Sequence, residues 1–170
     1  MSSHFNSASS VYNFKSMTNN TYPNLFSPIQ IGSKSLRNRV VHASMSLRYV
    51  KDGKVNNETI NYYLNRAKGG VSMAVTEPMG TTRWNIAPRR IKVFGKSNED
   101  GLKRFSDIVG SNGCHMIGQL QDSGRGNHEG GKRQDAVSAS SLPDGISWTV
   151  ARSLTTEEIK IMIKNLFLPN

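Results

Sequence analysis

Asn57 to Thr76 reads NETINYYLNRAKGGVSMAVT. Ile60, Tyr63, Leu64 and Ala67 stand at i, i+3, i+4 and i+7, one apolar stripe on a helix over Asn57 to Lys68. Asn56 or Asn57 can cap its start, and Gly69-Gly70 ends it. Val71 to Thr76 follows at once as a strand. Upstream, Arg39 to Met45 (RVVHASM) is a strand. Val40 and Val41 are adjacent there, as in a strand buried on both faces. The unit strand–helix–strand then repeats. A second helix starts at Ser97, with Asp100 three residues on as a variant capping box. Leu102, Phe105, Ile108 and Val109 make its stripe, Gly101 weakens its first turn, and Gly110 and Gly113 stop it. Cys114 to Leu120 is the third strand. Alternation of this kind predicts parallel strands. The connections after strands (46–56, 77–96, 121–154) are long and those after helices (69–70, 110–113) short, the pattern of a (β/α) barrel whose site lies at the strand C-terminal ends.

The two ends of the chain read differently. Ile29 and Ile31 alternate with Gln30 and run into Gly32-Ser33, a short strand and turn that opens an N-terminal hairpin. Before it, twelve of residues 1–21 are Ser, Asn or Thr, and the only base is Lys15. That composition buries little, so 1–21 is expected to be a disordered tail and 22–170 the partial barrel domain. The tail is Ser-rich and acid-poor like a mitochondrial presequence but has no Arg, and it lacks the apolar core of a secretory signal. At the other end, Thr155 and Glu158 form a capping box, and Leu154 and Ile159 can close a hydrophobic staple. Ile159, Met162, Ile163 and Leu166 continue the expected buried face of a last helix, which Pro169 ends.

The 170 residues carry 22 Lys and Arg against 12 Asp and Glu, a net charge of +10. The basic residues are scattered and no aromatic-interleaved motif accompanies them, so the charge reads as a solvated surface first, a phosphate-bearing ligand second and nucleic acid last. No apolar run approaches the roughly 20 residues that cross a bilayer, so no membrane partner is expected. The single cysteine, Cys114, excludes an internal disulfide and any multi-cysteine metal site within the chain; it reads as a small core residue in a reducing compartment, and the expected location is cytoplasmic. His115 and His128 have no partner at metal spacing, and His42 reads as a satisfied strand histidine.

An ordered set of short motifs then carries a family resemblance. Leu25 to Gly32 (LFSPIQIG), Leu36 to Val41 (LRNRVV), Ala43-Ser44-Met45-Ser46, Tyr62 to Gly70 (YYLNRAKGG), Thr76-Glu77-Pro78, Gln119-Leu120, Gly124-Arg125 and Leu154 to Ile159 (LTTEEI) resemble, in order and spacing, the opening of the old yellow enzymes. Those are FMN-dependent NAD(P)H oxidoreductases and include 2,4-dienoyl-CoA reductases. The likeness spans roughly 22–166. It implies an α/β fold, the N-terminal part of a (β/α)8 barrel with about three βα units plus the hairpin. Such barrels typically run to about 250 residues. The resemblance places the His/Asn or His/His substrate pair, the FMN phosphate grip and any iron–sulfur cysteines in the other half. The expectation is therefore a truncated product or broken gene model.

By the same resemblance, the cofactor-binding positions are Ala43, Ser44, Met45, Ser46, Pro78 and Gln119. The Gln119 amide, which both donates and accepts, would meet the flavin pyrimidine. Ser46 stands where the family has a Thr or Cys bonded to flavin O4. Ser44 replaces the usual Pro, a change expected to loosen the turn. Pro78 replaces a small residue and offers shape but no N–H. Arg48 falls at a substrate-contacting position, and an Arg there suits a phosphate or carboxylate. Asp122 departs from the family's Q-L-x-H-x-G-R pattern, which puts substrate choice in doubt. No catalytic acid and no metal ligand is assigned. The implied function is reduction of activated alkenes or enoyl-type substrates by hydride transfer from flavin N5, with NAD(P)H as reductant. The implied partners are a small-molecule substrate and, for so short a chain, a second copy or a complementing half-barrel. Against it stand a non-catalytic remnant and a binder acting through its basic surface. The 170 residues alone are expected to bind FMN weakly and turn over little.

Overall fold

The computed structural model describes residues 21–84, 89–126 and 135–167. The tail expected over 1–21 lies outside them, apart from Thr21, as does His128. A hairpin comes first: β1 (Ile29–Ile31) pairs antiparallel with β2 (Lys34–Leu36), and Gly32 turns the chain at φ 56°. Three strands then form one parallel sheet: β3 (Val41–His42), β4 (Met73–Val75) and a strand at His115–Ile117, in that order. Helix α1 (Asn57–Lys68) links the first two, and α2 (Glu99–Gly110) precedes the third. The parallel pairing expected from the alternation is therefore present.

The strands read over 39–45 and 71–76 shorten to Val41–His42 and Met73–Val75, and two of the three sheet strands are followed by a second short strand. Beyond β4 the chain resumes as β5 (Met79–Gly80); beyond β6, the strand His115–Ile117, it resumes as β7 (Leu120–Gln121), parallel to β5. The expected unbroken strand Cys114–Leu120 is thus two pieces, and the expected loop 77–96 holds a strand. The break is bridged rather than frayed. Thr76 N–H donates to Ile117 O, Gln119 N–H to Thr76 Oγ1 and Met79 N–H to Gln119 O, at 2.9, 3.0 and 2.8 Å. Farther on, β8 (Val137–Ser138) and β9 (Arg152–Ser153) pair in parallel before helix α3 (Thr156–Phe167).

Helix α1 forms where the stripe puts it. Asn56 caps it by accepting from Thr59 N–H at 2.9 Å, and Ile60, Tyr63 and Ala67 are buried. One of the carbonyls at its C-terminal end and two just beyond it are met by the LRN segment. Arg37 Nη2 donates to Ala67 O and Val71 O, and Asn38 Nδ2 to Gly70 O. A cation at a helix C-terminus also suits the helix dipole. Two of the family-like residues therefore serve the fold. The main core packs Ile60, Tyr63 and Ala67 of α1 and Phe105 and Val109 of α2 on Ala74 and Cys114. Each large apolar side chain so buried contributes about 1.5–3 kcal/mol. Burial pushes the Cys114 thiol up, as suits the core role expected of it.

Helix α2 starts later than expected. A 3-10 turn over Lys96–Asn98 precedes it, and it begins at Glu99 with no side-chain cap. Asn98, the residue in cap position, is buried and spends its amide elsewhere: Oδ1 accepts from Val55 N–H, and Nδ2 donates to Gly53 O and Lys92 O, at 3.0–3.1 Å. It thereby ties together the two loops that follow β3 and β5. Gly101 is the consequence, since a Cβ there would lie 2.7 Å from Asn98 Oδ1.

Two burial expectations fail for one reason. Val41 is 44% exposed, although its strand was expected to be covered on both faces. Ala74 and Met116 turn to the helices, so Val41 and Ile117, on the opposite face, look into what a closed barrel would enclose. The capping box of α3 forms as expected: Thr155 N–H donates to Glu158 Oε2, and Glu158 N–H to Thr155 Oγ1. Its expected buried face does not, because Ile159 and Ile163 are 44% and 51% exposed. Nothing among the described residues covers either surface.

Candidate functional site

In a parallel array the C-terminal strand ends point one way. Ala43 to Ser46 leave β3 there, Thr76 to Pro78 leave β4, and Gly118-Gln119 leave β6. Direct contacts draw these ends together. Ser44 Oγ donates to Gln119 Oε1 at 2.5 Å. Leu47 N–H donates to Glu77 Oε2 at 3.3 Å, which sets Ser46 beside the residue preceding Pro78. Gln119 is bonded through its own backbone to Thr76 and Met79, on either side of Pro78. Ala43, Ser44, Met45, Ser46, Pro78 and Gln119 thus share one mouth. Arg48 follows on the same loop, exposed, in the left-handed region at φ 60°.

Both apolar and polar side chains are exposed around the mouth. Met45 and Leu120 are 57% and 46% exposed. Gln119 is also exposed, and Ser46 presents a hydroxyl. Met45 is steadied from behind: Tyr62 donates its hydroxyl to Met45 Sδ at 3.8 Å, and His42 Nε2 meets that hydroxyl at 3.2 Å. Burial, and then the nearby Arg66, hold His42 below its ordinary pKa, so its neutral ring serves as packing and hydrogen-bonding partner.

Sequence reasoning missed two residues that shape this mouth. Glu77 is buried at the end of β4, and its backbone N–H donates to the Tyr63 hydroxyl at 2.6 Å. Tyr63 is fully buried, and that burial pushes its phenol well above the ordinary range. The pair fixes the peptide that leads into Pro78. A signal existed: Glu77 is a charge placed directly after the strand read over 71–76.

Replacing Pro by Ser at 44 was expected to loosen the turn; the Ser44 hydroxyl also gives it a bond to Gln119 that no proline can make. Asp122 also acquires a local explanation. It accepts from Thr82 Oγ1 at 3.0 Å and from Gly124 N–H at 2.9 Å, so it joins the loops after β5 and β7. His115, which has no metal-spaced partner, meets Ser35 O at 3.3 Å and links β6 to the hairpin. Among the described residues no group of three His, Cys, Asp or Glu could hold a metal ion, and no helix is long and apolar enough to cross a membrane.

Comparison with known proteins agrees with this architecture. The model of the NADH:flavin oxidoreductase / NADH oxidase family matches residues 24–167, and the chain belongs to that family. It is 34% identical to a metal reductase of Desulforamulus reducens, over 79% of this chain and 20% of the relative. It is 30% identical to an NADH oxidase of Thermoanaerobacter brockii, over 84% of this chain and 23% of the relative. Among solved structures it superposes on a 2-naphthoyl-CoA reductase complexed with 2-naphthoyl-CoA, with a TM-score of 0.77 and 26% identity, over 85% of this chain and 24% of the other. It also superposes on morphinone reductase complexed with tetrahydroNAD, with a TM-score of 0.74 and 23% identity, over 84% of this chain and 44% of the other. The fold is the N-terminal part of an old yellow enzyme (β/α)8 barrel. The chain spans about a fifth to a quarter of the length of its first two relatives.

Proposed function

From that family membership as premise, we propose that this chain supplies the flavin-facing strand ends of an FMN-dependent NAD(P)H oxidoreductase acting on activated alkenes or enoyl-type substrates. The observation that carries the reading is the Ser44–Gln119 bond, which sets the ends of β3 and β6 at one mouth. The donor set fits the ring system. Isoalloxazine asks for a flat apolar slot and a few polar groups along its pyrimidine edge. Met45, Leu120 and Pro78 offer apolar surface, and the Gln119 amide and Ser46 hydroxyl offer hydrogen bonds. When bound, FMN would supply hydride from N5 after reduction by NAD(P)H. The residues of this chain bind and orient: Gln119 meets the pyrimidine edge, Ser46 reaches the O4 side, and Pro78 limits the slot by shape. Arg48 stands at the rim, suited to a carboxylate or phosphate on the substrate. The open face bearing Val41 and Ile117 suits cover by further barrel strands, from a complementing half-barrel or a second copy.

The test is titration of the chain with FMN and with riboflavin, followed by flavin fluorescence and by bleaching of the flavin absorption band on adding NADPH or NADH. The 170 residues alone should bind both flavins weakly and alike, because the residues here line the ring rather than the phosphate. Adding the C-terminal remainder of a related barrel should strengthen FMN binding and allow bleaching. Failure of FMN to saturate the chain, both alone and with that remainder, overturns the reading.

A further inference from the structure

We infer that Ser44 is a positioning residue that holds the Gln119 amide in one place at the flavin-facing mouth; the inference rests on the flavin reading above. A primary amide is nearly symmetric in shape, and left free it can present either its oxygen or its NH2 group. Here the residue is tied down at both its backbone and its side chain. The Gln119 backbone is fully engaged: its N–H donates to Thr76 Oγ1, and its carbonyl accepts from Met79 N–H. The Thr76 hydroxyl gives its own proton to Glu77 O at 2.9 Å, so toward Gln119 it acts as acceptor. On the side chain, Oε1 accepts from Ser44 Oγ. With one lone pair of Oε1 taken by Ser44, Gln119 keeps its Nε2 donor pair and a second Oε1 lone pair for the pyrimidine edge.

The bond also spans an unusual gap. β3 and β6 are not neighbours, since β4 lies between them. Adjacent strands stand about 4.8 Å apart, so two steps amount to roughly 9–10 Å. Ser44 and Gln119 bridge that distance over the end of β4. A proline at 44 has no donor with which to do so.

The experiment compares the chain as it exists with Ser44→Ala, Ser44→Thr, Gln119→Leu and the double variant Ser44→Ala/Gln119→Leu. One readout is the pair of side-chain amide proton resonances of Gln119 by NMR without flavin, and the other is affinity for FMN and riboflavin. Ser44→Ala should move the amide pair to averaged, solvent-like positions and weaken flavin binding roughly three- to tenfold, the size of one hydrogen bond. Ser44→Thr, which keeps the hydroxyl, should restore both. In the double variant the loss should equal that of Gln119→Leu alone, because Ser44 acts only through Gln119. Unchanged amide resonances in Ser44→Ala, or losses that multiply in the double variant, overturn the positioning role. Amide resonances that respond to Ser44 in a chain that binds neither flavin, alone or with the C-terminal remainder of a related barrel, overturn the flavin reading instead.

Discussion

Replacing Asn98 with Ala should cost about 3 kcal/mol. The side chain makes three bonds to backbone, with Val55 N–H, Gly53 O and Lys92 O, and each contributes about 1 kcal/mol net. The residue is 3% exposed, so water reaches the abandoned groups only if the loops part. A loss of that size is a large share of the 5–15 kcal/mol that holds an ordinary domain. Asn98→Asp keeps the acceptor for Val55 but sets a carboxylate against two carbonyl oxygens. It should match or exceed the alanine loss at neutral pH and recover part of it as acid protonates the carboxyl into a donor. Ser97→Ala is the control: exposed and just before the clamp, it should change stability by less than about 0.5 kcal/mol, whereas a true N-cap would cost about 1 kcal/mol. Urea unfolding measures all three variants, and amide exchange at Val55 should accelerate in Asn98→Ala beyond the global change. An alanine variant within about 0.5 kcal/mol of the parent, or a larger loss in Ser97→Ala, would refute the clamp.

Tyr63→Phe should destabilise by about 1–3 kcal/mol, because it strands the buried N–H of Glu77 while the ring keeps its packing on Phe105; thermal unfolding of the two proteins decides it. Gly101→Ala should lose rather than gain stability despite its better helix propensity, since the new Cβ meets Asn98 Oδ1, and the loss should shrink in an Asn98→Ala background. The Arg152 guanidinium, and then Thr155 N–H, hold the Glu158 carboxyl down at about 2 from an ordinary 4.5. Its folded pKa is depressed, so its contribution to the start of α3 is complete above about 4.5 and fades as pH falls toward 2. Helicity followed by circular dichroism should show that loss in the parent and not in Glu158→Gln.

The elements most legible in the sequence were those set by local pattern. The stripe at Ile60, Tyr63 and Ala67 and the glycine pair behind it determine α1, and the Thr155–Glu158 capping box determines the start of α3. Hydrophobic period and cap chemistry act within one turn of chain, so no tertiary information is needed to read them. The misplaced start of α2 shows where this ends. Ser97 and Asp100 have the right spacing for a capping box, yet the amide that matters there belongs to Asn98 and reaches partners at Gly53 and Val55. A local rule ranks the candidates at a helix start, and a contact more than forty residues away decides between them.

The same distinction separates the two exposed apolar surfaces from the two hidden polar contacts. Val41, Ile159 and Ile163 read as buried because their apolar pattern records a requirement for cover without saying where the cover comes from. Their exposure among the described residues is the pattern of a barrel wall seen without its opposite wall. Ser44–Gln119 and Tyr63–Glu77 are the reverse case. Gln119 and Ser44 were singled out one by one and Glu77 and Tyr63 were not, but in both cases the pairing appeared only when the sheet set strand ends side by side. Motif order picked out Ala43 to Ser46, Pro78 and Gln119, which lie just past the C-terminal ends of β3, β4 and β6. It could not say that a serine in a proline's place would gain a partner. That outcome depends on Gln119 standing two strands away with its backbone already committed, which is a property of the assembled sheet.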